Sequence, residues 1–155
     1  MSYSFAYGSG TEVDPYQVWT AEDLDGVRDY LSAHFIQMAD IGLGVSPWNS
    51  GDGWLPISTF TGTYDFNNFS INNLTINRPS TNNVGLFGKT GNGAVLLKPK
   101  LVNVSIIAYD YVGSLVGCVD DITQIINCSV SGDISGNDCI GGIVGCAYDV
   151  LMEQC

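Results

Sequence analysis

Three short segments rich in glycine and aliphatic residues recur along the chain: Val84-Gly85-Leu86-Phe87-Gly88, Val112-Gly113-Ser114-Leu115-Val116-Gly117 and Ile140-Gly141-Gly142-Ile143-Val144-Gly145. Their first residues are 28 apart in both intervals. A fixed period of this length marks a repeat architecture, in which one unit cannot bury its own apolar face and must stack on its neighbours. A second element interleaves with the first, in Asn73-Leu74-Thr75-Ile76, Asn103-Val104-Ser105-Ile106 and Asn127-Cys128-Ser129-Val130, with a partial copy at Gln154-Cys155. Each copy alternates apolar with small polar residues, the period of a strand with one buried face. Two clear strands and room for a third within 28 residues suit one turn of a three-sided coil, equivalent residues stacking about 4.8 Å apart. The predicted fold class is all-β: a right-handed parallel β-helix, or solenoid.

Composition agrees with such a coil. Charged residues make up only 14% of the chain, below the roughly 25% of an ordinary soluble domain, so Asn, Ser, Thr and Gly must cover the surface. The leading Asn of each copy is expected at a corner, in a left-handed backbone or in a ladder of stacked amides. The glycines bracket an apolar pair where the backbone bends tightly. A phosphate-cradling loop needs a strand opening into a helix with a basic or acidic partner, and Gly141-Gly142 has neither.

The N-terminal part differs. Thr20 is a good N-cap with Asp23 three residues on, and Leu24, Val27, Tyr30 and Leu31 recur at helical spacing. A capping helix over residues 21–32 and a first strand at 33–38 follow. The division expected is a cap over residues 1–45 and coils over 46–155.

Sixteen acidic against five basic residues give a net charge of −11, which argues against nucleic acid as a partner. Direct membrane insertion is likewise not expected, since no apolar run reaches the roughly 18 residues of a spanning helix. The one histidine, His34, has no second His or Cys beside it and is expected to be structural or exposed. The segment Ser46-Pro47-Trp48-Asn49-Ser50-Gly51-Asp52-Gly53-Trp54 is the most unusual loop. Trp48, Asn49, Asp52 and Trp54 are the candidate ligand-binding residues, because an aromatic face beside amide and carboxylate groups can stack on a sugar and bond its hydroxyls. The alternative use of both tryptophans is to plug the gap between cap and coil.

Cys118 and Cys146 are 28 apart, and Cys128 and Cys155 are 27 apart, so both pairs fall at near-equivalent places on successive coils. Reduced, mostly buried cysteines are expected, with disulfides between stacked strands left open as an alternative. Cys139 has no such partner, and the pattern supports no metal site.

Gly85-Leu86-Phe87-Gly88 resembles the GLUG motif, Gly-Leu-hydrophobic-Gly, and the copies at Gly113 and Gly141 are similar to its longer form, with Ser114 and Ile143 departing from it. The stretch Phe60 to Leu74 resembles the segment leading into such repeats, and Gly8 to Leu24 resembles their cap. The resemblance implies a large secreted or surface-anchored bacterial protein, including adhesin-like chains, and therefore an extracellular or cell-surface location. It transfers no catalytic residue and no cofactor.

Three functions remain in view. The first is a non-catalytic structural or adhesive module meeting a glycan or protein partner. The second is a homo-oligomer or filament stacking through the C-terminal edge at Cys155, a place partway through a repeat. The third is a carbohydrate-binding or carbohydrate-active β-helix, of the kind found in phage tail spikes. Catalysis needs clustered acids and bases. Asp120-Asp121 is the adjacent acidic pair of the coil region, far in sequence from Arg28, Arg78, Lys89, Lys98 and Lys100.

Overall fold

Short apolar-polar alternations broken by Gly and Asn yield sixteen strands and one helix of six residues. The computed structural model describes every residue from Met1 to Cys155. In chain order, β1 (Tyr16–Val18) leads to α1 (Ala21–Gly26), which tightens into a single 3-10 turn (Val27–Asp29). β2 (His34–Gln37) and β3 (Ile41–Gly42) precede a long loop. β4 (Thr63–Asp65), β5 (Ile71–Asn72), β6 (Thr75–Asn77) and β7 (Phe87–Thr90) form the next turn. Two regular coils follow, the first of β8 (Ala94–Leu97), β9 (Lys100–Ile107), β10 (Asp110–Gly113) and β11 (Val116–Val119). The second holds β12 (Thr123–Ile126), β13 (Ser129–Ser135), β14 (Asp138–Gly141) and β15 (Val144–Ala147), and β16 (Val150–Glu153) begins another.

All strand pairings are parallel, and they connect each strand to its equivalent one coil away. The largest sheet has the order β1-β2-β4-β8-β12-β16. The others are β3-β5-β9-β13 with β6 also on β9, β7-β11-β15, and β10-β14. This is a parallel β-solenoid of about four turns.

Each regular coil carries four strands, not the two or three expected. The missed strand is that of the six-stranded sheet: Thr123-Gln124-Ile125-Ile126 in one coil and Ala94-Val95-Leu96-Leu97 in the other. Those two segments share no motif, only burial. On the N-terminal side of residue 45, β1 and β2 join the six-stranded sheet and β3 joins the sheet of β5, β9 and β13.

In-register stacking builds the core as columns. Tyr16, Phe35, Tyr64, Leu96, Ile125 and Met152 form one. Ile41, Ile71, Leu101 and Val130 form a second, and Ile57, Phe87, Val116 and Val144 a third. Twenty-nine buried residues make one continuous cluster. Each fully buried Leu, Ile or Phe contributes roughly 1.5–3 kcal/mol, so the coils cohere through their columns rather than through any one of them. The polar atoms inside are satisfied. Gln37, fully buried, donates to the carbonyls of Ala39 and Ser70 and accepts from the Tyr64 hydroxyl at 3.3 Å. Burial in turn pushes the Tyr64 phenol well above its ordinary pKa.

The glycines of the repeat serve close packing. None of Gly85, Gly113, Gly141, Gly88, Gly117 and Gly145 has a positive φ. A Cβ on Gly117 would instead strike the backbone of Asn83 and Val84 one coil back. The left-handed corners are held by other residues, chiefly asparagines. Asn73 and Asn103 both have φ 59°, and the Asn103 Nδ2 donates to the Asn73 Oδ1 at 2.7 Å, a two-rung ladder. Asn127 does not extend it. It lies at the corner after β12, equivalent to Lys98 and Gln154, while Val104 pairs with Gly132 and the backbone N–H of Asn103 donates to the Ser131 hydroxyl. The irregular interval of 24 residues between Asn103 and Asn127 therefore compared two different corners.

The cap is the one helical feature, shorter than the 21–32 expected. Thr20 accepts from the Asp23 N–H while the Asp23 carboxylate accepts from the Thr20 N–H, a reciprocal capping box. Leu24 and Val27 are fully buried. The N-terminal segment lies across the helix: the Tyr3 hydroxyl donates to Asp23, the Tyr3 N–H to Asp29, and Phe5 stacks on Tyr16 at 4.6 Å. Burial, then the Asp23 carboxylate, pushes the Tyr3 phenol up to about 12.

The column architecture makes whole coils exchangeable units. Excision of residues 84–111, which joins Asn83 to Val112 across equivalent positions, should leave a folded chain with one cooperative thermal transition and a β-type circular dichroism spectrum. Excision of residues 84–97, about half a coil, should abolish the transition. Equal tolerance of both deletions would contradict the register described.

Candidate functional site

The loop between β3 and β4 interrupts the coil and carries the candidate residues. A cis Ser46-Pro47 bond opens it, and backbone bonds from Asn49 to Val45, Ser50 to Pro47 and Gly53 to Ser50 wind it tightly. It returns antiparallel to β6. Gly53 bridges Ile76, the Trp54 N–H donates to the Thr75 carbonyl at 2.8 Å, and the Asn77 N–H to the Asp52 carbonyl at 2.9 Å.

This return drives Trp54 inward, to 1% exposure, with its indole N–H donating to the Leu86 carbonyl at 3.2 Å. The two arginines of the chain clamp it. The Arg28 guanidinium lies 5.4 Å from the Trp54 ring centroid and donates to the Leu55 carbonyl, a cation–π contact with a second anchor. Arg78 donates to the Trp54 carbonyl and lies 3.7 Å from the Asp52 carboxylate. Sequence reasoning missed both arginines, whose one available signal was being the sole guanidinium groups in the chain.

The four candidates are thereby separated. Trp54 is spent inside the fold and offers no face to a ligand. Trp48, half-buried, packs on it at 5.6 Å with the rings tilted by 50°. The Asn49 amide donates to the Gly44 carbonyl at 2.8 Å, and the Asp52 side chain is 72% exposed. Trp48, Asn49 and Asp52 remain at the surface.

Elsewhere, Lys89 and Lys98 each pair with a carboxylate. Asp120 accepts from Lys89 at 2.8 Å and from the Cys118 thiol, and the Lys89 bond holds the Asp120 carboxyl below the usual carboxylate range. Asp121 accepts from the Ile122 N–H, so Asp120 and Asp121 form no acid–base pair. Asp65 pairs with Lys98, and Asp40 accepts from both the backbone N–H and the hydroxyl of Ser70, bonds that lower its pKa. The Lys89–Asp120 and Lys98–Asp65 ion pairs, partly exposed, are of the kind that contributes about 0.2–1 kcal/mol each. His34 is half-buried on a shallow groove beside Glu12, Thr63 and Asp65. No group of three or more His, Cys, Asp or Glu is arranged to hold a metal.

The cysteines correct one expectation. Cys128 and Cys155 form a disulfide between successive coils, their Cα atoms 4.5 Å apart. The reason is geometric: in-register parallel stacking brings equivalent residues within bridging range. Cys118 is buried and free, Cys146 half-buried and free, and Cys139 exposed and free.

A chain of coils with parallel, in-register columns and tightly apposed repeat glycines is a repeat protein of the β-solenoid class. Residues 108–135 match the GLUG motif family. That span holds β10 to β13, one complete circuit of the coil, and the chain is a GLUG-motif repeat protein. The chain is 35% identical over 147 residues to halomucin of Haloquadratum walsbyi, covering 88% of this chain and 2% of that protein. It is 42% identical over 98 residues to a putative Gly-rich membrane protein of Evansella cellulosilytica, covering 59% of this chain and 11% of that one. It thus spans a small fraction of each relative's length. No solved structure matches. No helix is long and apolar enough to cross a membrane. The GLUG repeat and the solenoid fit a structural surface module.

Replacement of Trp54 tests the division of labour within the loop. Trp54→Ala should destabilise the chain by about 3–5 kcal/mol, the range for emptying a buried aromatic site. Trp48→Ala should cost under about 1.5 kcal/mol by the same reasoning for a half-exposed ring. Denaturant titration of both variants checks the pair of values.

Proposed function

We propose that this segment is a stiff, non-catalytic β-solenoid element of a cell-surface protein. The observation that carries this is the continuity of the columns. From β8 onward the repeat positions are occupied by stacking, and Asp120 and Lys98 are paired with Lys89 and Asp65 rather than converging on a cleft. The surface placement is supported by the two relatives, one a halomucin and one a Gly-rich membrane protein, and by the inter-coil disulfide, a bond that persists in oxidising compartments. Fluorescent dyes at positions 7 and 148, both exposed tyrosines near opposite ends of the stack, should report a single narrow distance distribution. An antibody to the segment should label intact, unpermeabilised cells. A broad distribution would defeat the stiffness, and labelling confined to permeabilised cells would defeat the location.

A second role, contact with a glycan, is favoured by one feature: Trp48 keeps an accessible face beside Asn49 and Asp52 while the loop beneath is rigidly held by Trp54 and two arginines. A preformed loop loses little conformational freedom on binding. On a glycan array the folded chain should retain a defined set of sugars, and Trp48→Ala should lose them with its melting midpoint little changed. Absence of any retained glycan would remove this role and leave the structural one intact.

A further inference from the structure

Cys118 and Cys146 are direct register partners in β11 and β15, as Val116 with Val144 and Val119 with Ala147. In-register parallel pairing places their Cα atoms one strand spacing apart, within the range a disulfide spans. The pair repeats, on another side of the coil, the relation between Cys128 and Cys155, equivalent residues on successive turns that are already bonded. No metal-holding cluster includes these thiols. We infer that Cys118 and Cys146 close a second inter-coil disulfide when the chain meets a small-molecule disulfide oxidant, so that the second regular coil is stapled to the coil before it as well as to the one after it.

The chemistry is thiol–disulfide exchange. Cys146, half-buried where Cys118 is 5% exposed, is the accessible partner and reacts first. Its thiolate attacks one sulfur of a glutathione-type disulfide, expelling one glutathione thiolate and leaving a mixed disulfide. The Cys118 thiolate then attacks the Cys146 sulfur and expels the second glutathione. The protein dithiol loses two electrons and two protons, and the oxidant is reduced to two thiols. Burial, then the neighbouring Cys146, pushes the Cys118 thiol up to about 12, so the second step is the slow one at neutral pH and quickens as pH rises. The adjoining columns narrow the alternatives. Lys89 occupies the position one coil back in the same column, so the staple joins only these two turns. Cys139 is the remaining free thiol, on β14, and lies close enough to Tyr111 to raise the pKa of its phenol.

The test uses the full chain with its Cys128–Cys155 bond intact, treated with oxidised glutathione and read by mass spectrometry. No Lys or Arg lies between Leu101 and Cys155, so trypsin leaves all five cysteines in one peptide. Cleavage before aspartate separates Cys118 from Cys139 and Cys146, with cuts at Asp120 and Asp138. The expected product joins the peptide containing Cys118 to that containing Cys146, loses the mass of two hydrogens, and leaves one alkylatable thiol per chain. The Cys139→Ser variant should give the same joined product. Cys118→Ser should stop at a persistent glutathione adduct on Cys146. The oxidised chain should melt several degrees higher than the untreated one, a shift absent in Cys118→Ser. Three freely alkylatable thiols after oxidation, or a bond that joins Cys139 to either partner, would overturn the assignment. Should Cys118→Ser fail to fold, the peptide map of Cys139→Ser decides, because Cys139 and Cys146 share the peptide that begins at Asp138 and only that variant assigns the bond to Cys146.

Discussion

Parallel stacking in register is the constraint on which everything else depends. It places each residue directly over its equivalent one coil away, at roughly the spacing between neighbouring strands of a sheet, so that like meets like. For apolar residues this is favourable, and continuous columns of Ile, Val, Leu and aromatic side chains result. For charged residues it is not: two carboxylates at such a distance repel by about 1 kcal/mol even in bulk water. Asp110 over Asp138 is one such step, and it is relieved by the Asn137 amide, which donates to Asp110 at 3.0 Å. A coil that repeats a charge repeats the penalty. The low charged fraction, with Asn, Ser and Thr covering the surface, follows from the stacking rule without any appeal to function.

The same rule determined how much was legible beforehand. Gly113 and Gly141 repeat because a side chain there would meet the backbone of Val116 and Val144, a requirement that recurs in each coil and so shows as a period. The strand of the six-stranded sheet recurs just as faithfully, yet its column of Tyr64, Leu96 and Ile125 asks only for bulk and apolarity, which many residues supply. A requirement met by many residue types leaves no motif. Corners fall between these cases. Left-handed backbone favours Asn but accepts Lys98, Tyr111, Cys139 and Gln154, all with φ between 52° and 58°. Asn127 thus signalled a corner correctly and the wrong corner at once.

The Trp54 loop was least legible because its logic is not periodic. Arg28 precedes the loop on the capping segment and Arg78 follows it after β6, and neither position is part of the repeat. Only the folded chain brings them together on one indole and its backbone. Two tryptophans flanking turn residues announced an unusual segment. Which ring faced the solvent depended on the antiparallel return beside β6, a pairing that no short pattern in residues 46–54 encodes.

These points bear on where a specific activity can reside in such a molecule. A binding site needs side chains of different chemistry converging on one place, whereas regular coils repeat similar chemistry at fixed intervals along a surface. Convergence therefore has to come from departures: an insertion that leaves the coil, a pair of cysteines where neighbouring coils carry other residues, or a corner with an uncommon occupant. In this chain the departures are the Trp48 loop, held from beneath by Trp54 and two arginines while Trp48 stays half-exposed, and the column in which Lys89 gives way to Cys118 and Cys146. The first is suited to recognition and the second to covalent reinforcement. Both act on a scaffold whose periodic part is fully engaged in holding itself together.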